Sequence, residues 1–276
     1  MSHNGIFTLS ISINLLNVLL FISACGVTVE RDGAPAAPVD VSSVPDAIPR
    51  DEPHSRYGNP ESYEVFGKRY YVLNSSEGFV ERGIASWYGT KFQGKRTSSG
   101  ETYDMYAMTA AHKTLPLPTY VEVINLENNK SVIVRVNDRG PFHENRIIDL
   151  SYAAASRLGI LSNGTGLVEI RAINPSAYAS SNKKTPIRTV ALDNRSIAEF
   201  YIQVGAFSEL MNAENLRTKL GSIGNSLIKI NHAVIDNKLL YRVRIGPLTS
   251  IDYADQIVNQ LNHLGVTDYH IVVDDS

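Results

Sequence analysis

The chain has 276 residues, of which 43% are hydrophobic and 20% charged, enough for one large domain or for two small domains with linkers. Its formal net charge of −2 gives no basic excess of the kind that nucleic-acid-binding proteins carry. The single cysteine, Cys25, excludes an internal disulfide and any site that needs several cysteines. The histidines show no metal-ligand spacing, so we predict neither a metal site nor a cofactor.

Residues 1–24 have the pattern of a signal peptide, because a nearly uncharged apolar run leads into two small residues immediately before Cys25. This junction resembles a bacterial lipobox, which implies cleavage before Cys25, acylation of the cysteine and a membrane-bound protein. Gly26, rather than Asp, implies by the same resemblance an anchor in the outer membrane. A retained helix and a mis-assigned start codon stay open, since no Lys or Arg precedes the apolar run.

Two stretches of linker composition divide the rest of the chain. Residues 25–60 are rich in Pro, Ala, Ser and Asp without any helical or strand period, which predicts a disordered tether. Residues 174–194 carry a second cluster of Ser, Asn, Lys and Pro. We therefore predict two folded domains, at residues 61–173 and 195–276.

The first domain is predicted to be a small, mainly β, closed barrel. Two short β-rich runs flank Gly67 as the strands of a hairpin would. Further runs of β-branched and aromatic residues end at turn residues: Gly83–Tyr88, Tyr120–Asn125, Ser131–Asn137 and Leu167–Ile173. In the third run both faces carry side chains suited to a barrel wall. One helix is expected between them, with Ser151 as its N-cap and Gly159 at its end.

Polar residues beside glycines are concentrated in a few ordered motifs of this domain. They are Ala85–Gly89, Thr97–Glu101, Thr109–Pro116, Asn137–Phe142 and Arg146–Ser151. In this order they resemble the rare lipoprotein A family, whose double-psi β-barrel is shared with expansins and with one class of lytic transglycosylase. The resemblance covers nearly all of residues 62–173 and implies a six-stranded barrel of that kind.

The same resemblance implies a functional trio, because catalytic members use the acidic residue of the Ser-Gly-Glu loop, the histidine of Ala-Ala-His and the aspartate of Asn-Asp-Arg-Gly-Pro. Here these are Glu101, His112 and Asp138. Cleavage of a glycosidic bond needs a carboxylic acid that protonates the leaving oxygen, and we assign this role to Asp138. Glu101 is expected to form a hydrogen bond with the substrate or to raise the pKa of Asp138 through its like charge. His112 is expected to orient one of the two carboxylates.

Other residues of these motifs have competing interpretations. Trp87 and Tyr88 are candidate sugar-stacking residues of the groove, although an aromatic pair at a strand end is about as often part of the core. Asp149 is interpreted as a structural residue at a helix N-terminus, where the helix dipole favours a carboxylate. An aspartate before Arg-Gly, such as Asp138, is also common as a simple turn former.

The second domain alternates strands and helices. The predicted elements are strand 200–206, helix 213–220, strand 226–235, strand 240–245, which a break at Gly246-Pro247 ends, helix 249–264 and strand 271–273. Thr249 is the expected cap of the second helix, whose apolar stripe consists of Ala254, Ile257, Leu261 and Leu264. This βαββαβ order implies a four-stranded antiparallel sheet with both helices on one face, so that the other face stays open to a ligand.

Two segments of this domain, Phe200–Phe207 and Tyr241–Pro247, resemble the SPOR domain, which binds septal glycan strands stripped of their stem peptides. The resemblance covers most of residues 197–274. Strand alternation places three polar side chains on the open face. With Phe207, they are the expected glycan contacts: Gln203, Arg242 and Arg244. The arginines could clamp the lactyl carboxylate of muramic acid, or they could simply be solvated.

Taken together, the resemblances imply a septal, lipid-anchored, endo-acting lytic transglycosylase that cleaves peptidoglycan, prefers denuded strands and meets division proteins as partners. The alternative is a septal peptidoglycan-binding lipoprotein without catalysis, or one that loosens the wall as expansins do. RNA binding is a third class that the βαββαβ order suggests. It is disfavoured because the aromatic Lys/Arg-Gly-Phe-Gly-Phe strand signature is missing.

Overall fold

A computed structural model of the chain describes residues 32–37, 39–143, 145–181, 199–235 and 237–273. The expected signal peptide, Cys25 and most of the second linker lie outside the described residues. The chain divides into Met1–Arg31 and Asp32–Ser276, and the second part holds every element discussed below. Within the described residues, no helix has the length and apolar character needed to cross a membrane.

Six strands close into a barrel in the order β3-β7-β4-β6-β5-β8. Their bounds are β3 Val80–Tyr88, β4 Thr109–His112, β5 Thr119–Asn125, β6 Ser131–Asp138, β7 Arg146–Ser151 and β8 Gly166–Ala172. The pairs β3–β7 and β4–β6 are parallel, and the other neighbours are antiparallel. The four predicted strands are confirmed as β3, β5, β6 and β8, whereas β4 and β7 are short, mixed strands whose sequences show no clear period.

The barrel interior is filled by alternate residues of its strands. In β6 the fully or almost fully buried side chains are Val132, Val134 and Val136. In β5 they are Val121 and Val123. Burial of such a side chain typically stabilises a fold by about 1.5–3 kcal/mol. The strand ends that carry the polar motifs are therefore mounted on a rigid wall.

The predicted helix is confirmed as α1, Tyr152–Leu158. Its N-cap is Ser151, whose hydroxyl accepts a hydrogen bond from the Ala154 N–H at 3.2 Å. It ends at Gly159, whose φ of 81° lies in the left-handed region that favours glycine. A further short helix, α2, spans Pro175–Ser181.

The predicted hairpin is also confirmed, with strands β1, Ser62–Val65, and β2, Lys68–Tyr71. Its turn residues Phe66 and Gly67 have φ angles of 50° and 76°. Two successive residues with positive φ are the signature of the tight turn that matches the twist of antiparallel strands.

Residues 39–60, here named the strap, form no helix or strand, yet they pack along the barrel. Val41 is 4% exposed and belongs to the barrel core. The Ala47 N–H donates to the Ile133 carbonyl at 3.0 Å. Residues 39–60 therefore differ from the disordered tether expected over residues 25–60, because they have apolar and backbone partners that composition alone does not reveal.

The C-terminal domain is a four-stranded antiparallel sheet in the order β10-β11-β9-β12. Its strands are β9 Phe200–Phe207, β10 Ile228–Ile235, β11 Lys238–Leu248 and β12 His270–Val273. Its helices are α3 Leu210–Lys219, α4 Gly221–Gly224 and α5 Ile251–His263. The predicted βαββαβ order is confirmed, with α4 as one additional turn of helix.

β11 differs from its prediction at the C-terminal end. The sequence predicts a break at Gly246-Pro247, but the strand continues to Leu248. The register shifts between Ile245 and Leu248, and Gly246 has a φ of 146°. Gly246 therefore allows an irregularity within the strand rather than ending it.

Helix α5 begins one residue later than predicted. Its N-cap is Ser250, whose hydroxyl accepts from the Tyr253 N–H at 3.4 Å, rather than Thr249. Three residues of its predicted apolar stripe are buried, Ala254, Ile257 and Leu261, and the fourth, Leu264, is partly buried against the same cluster.

The barrel and the sheet domain are in contact. The Arg146 guanidinium donates to the Asp255 carboxylate of α5 at 2.6 Å. Barrel residues Ile84 and Leu167 join the apolar cluster of the sheet domain. The barrel and the sheet domain are thus joined by an ion pair and by an apolar cluster.

Candidate functional site

Asp138 ends β6, immediately before the Arg139-Gly140 turn. Its Oδ1 accepts hydrogen bonds from the Ser98 N–H at 2.7 Å, the Ser98 hydroxyl at 2.6 Å and the Arg139 N–H at 2.7 Å. Its Oδ2 has no hydrogen-bond partner among the residues that the structure describes. One oxygen is thus fixed by the protein, and the other keeps its capacity to accept a hydrogen bond.

Glu101 lies beside the same end of β6. Both of its carboxylate oxygens accept from Nη1 of Arg135 at 2.8 Å, and Oε2 also accepts from the Asn137 side chain at 2.9 Å. The Glu101 side chain is 42% exposed. These bonds join Glu101 to Arg135 and Asn137, the two β6 residues that flank Val136 and precede Asp138.

His112 ends β4 and is only 2% exposed. Its Nδ1 accepts from the N–H groups of Thr114 and Leu115 at 3.2 and 3.1 Å, so Nε2 carries the proton that faces Glu81 at 3.2 Å. Burial lowers the pKa of His112, although Glu81 opposes the shift. Instead of orienting a carboxylate of the trio through its ring, His112 accepts at its carbonyl from Arg139 at 3.1 Å.

Asp149 joins this site through the strand register. Ala111 of β4 pairs with Asp138 on one side and with Asp149 of β7 on the other. Residues in one cross-strand row point to the same side, so the two aspartates face the same region across two strand spacings, roughly 9–10 Å of backbone. Ser86 of β3 extends the row and donates its hydroxyl to Asp149 Oδ1.

The environment of Asp149 differs from that of Asp138. Burial raises the pKa of the Asp149 carboxyl, while the Ser86 hydrogen bond and the charges of Lys113 and Arg146 oppose the shift. The side chain still keeps partial contact with solvent. Because α1 is capped by Ser151, the interpretation of Asp149 as a helix-terminus residue is replaced by a place in the polar row. A raised pKa favours the neutral form of a carboxyl group.

Trp87 and Tyr88, at the end of β3, differ in burial. Tyr88 is 7% exposed and stacks on Tyr103 with ring centroids 4.1 Å apart, so it belongs to the core. Burial raises its pKa, and the two aspartates of the row contribute to the rise. Trp87 is half-buried and lies edge-on to Tyr152 at 6.0 Å. Of these two residues, Trp87 is therefore the one that retains exposed surface for a sugar ring.

A second aromatic group lies beside Arg139, the residue that follows Asp138. Tyr63 and Tyr70 of the hairpin stack at 5.4 Å, and Phe142 meets Tyr63 edge-on at 6.3 Å. The Arg139 guanidinium lies 5.8 Å from the Tyr63 ring. All three rings are half-buried. The hairpin and the Asp-Arg-Gly-Pro-Phe motif are both visible in the sequence, but only the fold brings them together.

The face of the C-terminal sheet opposite the helices, which the sequence predicts to be the open face, carries a polar row that crosses all four strands. Lys229 of β10 pairs with Arg244 of β11, Arg244 with Gln203 of β9, and Gln203 with His270 of β12. Arg244 donates to the Gln203 side-chain oxygen at 3.3 Å, and both residues are largely buried. No local motif in the sequence indicates Lys229 and His270, because strand pairing places them in the row.

The remaining predicted sheet residues lie on opposite sides. Arg242 pairs with Ala206 on the open face. Phe207, in contrast, lies with its ring beside Gly205 and Leu216 and packs against the apolar cluster under α3. The register shift next to Val243 changes the alternation of β9. Phe207 therefore supports the core, which corrects its assignment as a glycan contact.

Two family profiles match the chain. The family described as lytic transglycolase matches residues 80–170, and the SPOR domain matches residues 198–271. The crystal structure of the RlpA SPOR domain from Pseudomonas aeruginosa is 29% identical, covers 27% of this chain and 99% of that chain, and gives a TM-score of 0.26.

Full-length relatives extend the similarity to both domains. The endolytic peptidoglycan transglycosylase RlpA of Pseudomonas aeruginosa is 43% identical over 80% of this chain and 78% of its own length. The enzyme of the same name from Vibrio cholerae is 41% identical over 91% of this chain and 92% of its own length. The chain therefore belongs to the rare lipoprotein A (RlpA) family, with a lytic transglycosylase barrel followed by a SPOR domain.

Proposed function

We propose that this chain is an endolytic peptidoglycan transglycosylase of the cell envelope. It cleaves the bond between N-acetylmuramic acid and N-acetylglucosamine within glycan strands. The observation that carries the proposal is the Asp138 carboxylate at the end of a rigid barrel strand, which is fixed at Oδ1 and has no hydrogen-bond partner at Oδ2 among the described residues. The names of the 43% and 41% identical relatives support the same activity.

The reaction transfers one proton from the enzyme to the leaving group and one proton from the substrate back to the enzyme. A carboxyl group donates its proton to the oxygen that leaves with N-acetylglucosamine as the C1–O bond of muramic acid breaks. The C6 hydroxyl of the same muramic acid then bonds to C1, and its proton goes to the carboxylate. The products are a 1,6-anhydromuramic end and a free 4-hydroxyl, and no water is consumed.

Asp138 performs these proton transfers in our proposal. Glu101, held by Arg135 and Asn137, supplies a fixed acceptor for a substrate hydroxyl. Asp149 is the second carboxyl that faces the same region, and its raised pKa favours the neutral form. His112 stays neutral and supports the Arg139 turn through its carbonyl.

Binding to denuded strands belongs to the C-terminal sheet. A strand without stem peptides exposes the lactyl carboxylate of each muramic acid, and the row of Lys229, Arg244 and Gln203 with the adjacent Arg242 presents donors of matching charge. Because such strands are produced at the division site, this face concentrates the enzyme at the septum.

Cys25 anchors the protein to a membrane through acylation in this proposal. Cys25→Ser is expected to leave an unacylated, uncleaved precursor, because the thiol is required for both steps. Fractionation and intact-mass measurement test this. Normal processing of the variant would make the leader an ordinary secretory signal.

Mass spectrometry of muropeptides tests the reaction itself. The lipid-free chain from residue 26 should release 1,6-anhydro products from sacculi, and more from sacculi treated first with an amidase. Reducing ends would instead identify a hydrolase. Binding to the sacculi without any product would leave the non-catalytic alternative.

A further inference from the structure

The strap and the barrel enclose a groove of about 540 Å³ beside Glu101. The strap contributes an apolar wall: Val44, Pro45 and Ile48. The barrel contributes Glu101, Tyr120 and Arg135 to the opposite side. Ile48 is 63% exposed, so this large aliphatic side chain contributes surface to the groove rather than to the core.

Glu52 ties the strap to the catalytic side of this groove. Its carboxylate accepts from Nη2 and Nε of Arg135 at 2.9 and 3.2 Å, and also from the Tyr120 hydroxyl. The remaining guanidinium nitrogen, Nη1, holds Glu101. A single planar guanidinium therefore links a strap residue to Glu101, and its position fixes both carboxylates.

The strap also reaches the surroundings of Asp138. Arg139, the next residue, donates from Nη2 and Nε to the Gly58 carbonyl at 2.6 and 2.9 Å. Residues 39–60 lie before the barrel region that the family profile matches, which begins at residue 80. Contacts at two places thus make the strap continuous with the catalytic groove.

We propose that the groove is a binding subsite for one pyranose ring of the glycan, and that Glu52 is a positioning residue that acts on Glu101 through Arg135. The subsite rests on the proposed transglycosylase function. A pyranose has an apolar face of C–H groups and a rim of hydroxyl groups. The aliphatic wall of the strap fits the first, and the Glu101 carboxylate accepts from the second.

The apolar wall is tested with Ile48→Ala in the lipid-free chain, with soluble denuded glycan as substrate. KM should rise about fivefold while kcat stays within about twofold, because lost apolar contact weakens binding without altering the reacting groups. Val39→Ala is the matched control, since Val39 is a 42% exposed strap residue outside the groove lining. An unchanged KM for Ile48→Ala, or an equal rise for the control, would overturn the subsite.

The positioning role is tested with Glu52→Gln, which should lower kcat about tenfold with little change in melting temperature. The matched control is Asp46→Asn, because the Asp46–Arg157 pair on the same strap has a similarly exposed carboxylate, 31% against 29% for Glu52. Adding Glu52→Gln to Arg135→Ala should cause no further loss. Independent, additive losses, or the same kcat loss in the control, would mean that Glu52 only holds the strap in place.

NMR spectroscopy tests binding at the subsite independently of the cleavage reaction. Isoleucine methyl groups are labelled with ¹³C in the Asp138→Asn variant, and denuded glycan fragments are added, with free stem peptide as the control ligand. The Ile48 methyl signal should shift with glycan only. If it shifts although the wild-type protein cleaves nothing, the subsite stands and the transglycosylase proposal fails. If it stays unchanged while the wild-type protein cleaves, the subsite is overturned.

Discussion

The barrel and the C-terminal sheet each carry a polar row across neighbouring strands, but the two rows have opposite charge. In the barrel the row holds Asp138 and Asp149, and in the sheet it holds Lys229 and Arg244. Both rows use strand pairing to align residues that are far apart in sequence. In our proposal, the acidic row of the barrel serves proton transfer and the basic row of the sheet attracts an anionic polymer.

The two rows also differ in how the protein prepares their charges. Asp138 is held through Oδ1, while burial raises the pKa of Asp149, so two like groups receive different environments. Such a separation suits acid–base chemistry. In the sheet, Arg244 is held by Gln203, which limits its motion before a ligand arrives. Substitutions in each row should therefore produce separable defects.

The largest effect is expected for Asp138→Asn, which should lower kcat by about 10² to 10⁴ because it removes the proton-transfer group. Release of anhydro products from soluble glycan measures the loss. Asp51→Asn, an exposed aspartate of the strap, is the control. Activity within about threefold of the wild type would remove Asp138 from the mechanism. A thermal melt must accompany the assay, since an unfolded variant would identify Asp138 as a turn-stabilising residue.

Asp149→Asn tests whether the second carboxyl group of the barrel row takes part in catalysis. We expect kcat to fall about 10²-fold with an unchanged melting temperature, because the second carboxyl of the row is lost from a partly solvent-accessible position. Steady-state kinetics on the same glycan measure it. If kcat is preserved, Asp149 serves only the packing around Ser86, and the row has a single working carboxyl.

The reciprocal change replaces Gln203, Arg242 and Arg244 by Ala in the sheet. Affinity for denuded glycan should fall about tenfold or more, since charge-assisted hydrogen bonds are lost, while kcat on saturating soluble glycan stays the same. Calorimetry and fluorescence of a tagged protein at the septum measure the two consequences. Phe207→Leu is the control, and it should keep septal localisation because Phe207 packs behind the sheet. A normal septal signal in the triple variant would remove the sheet face from targeting.

The smallest effect concerns stability at acidic pH. Burial lowers the folded-state pKa of His112 below its usual 6.5, so the unfolded chain binds the proton first as pH falls. This contribution to the free energy of unfolding is complete above pH 6.5 and is lost as pH falls from 6.5 through the lower folded-state pKa, by at most about 1.4 kcal/mol per pH unit. Urea titrations between pH 7 and 5 should show a flatter decline for His112→Gln. His270→Gln should change the decline less, because His270 is exposed on the sheet; an equal change would contradict the distinction between the two sites.

Much of the fold follows from local patterns. Gly67 marks the hairpin turn, Ser151 and Gly159 delimit α1, and the apolar stripe of α5 faces the sheet. These predictions succeed because turn geometry, capping and periodicity depend on neighbours in sequence. The strap is missed because its stabilising partners, such as Arg135 for Glu52, lie far along the chain. Composition cannot separate a Pro-rich tether from a Pro-rich segment that lies on a surface.

The candidate site shows the same distinction between local sequence patterns and tertiary contacts. The sequence by itself determined the two domains' order of elements, the motifs that carry Asp138 and Glu101, and the residue types suited to glycan chemistry. Only the tertiary structure decided that His112 faces Glu81, that Phe207 turns into the core, and that Asp149 shares a row with Asp138. The physical reason is strand register: one bulge or one change of pairing partner decides which face a side chain occupies, and neither is encoded within a single strand.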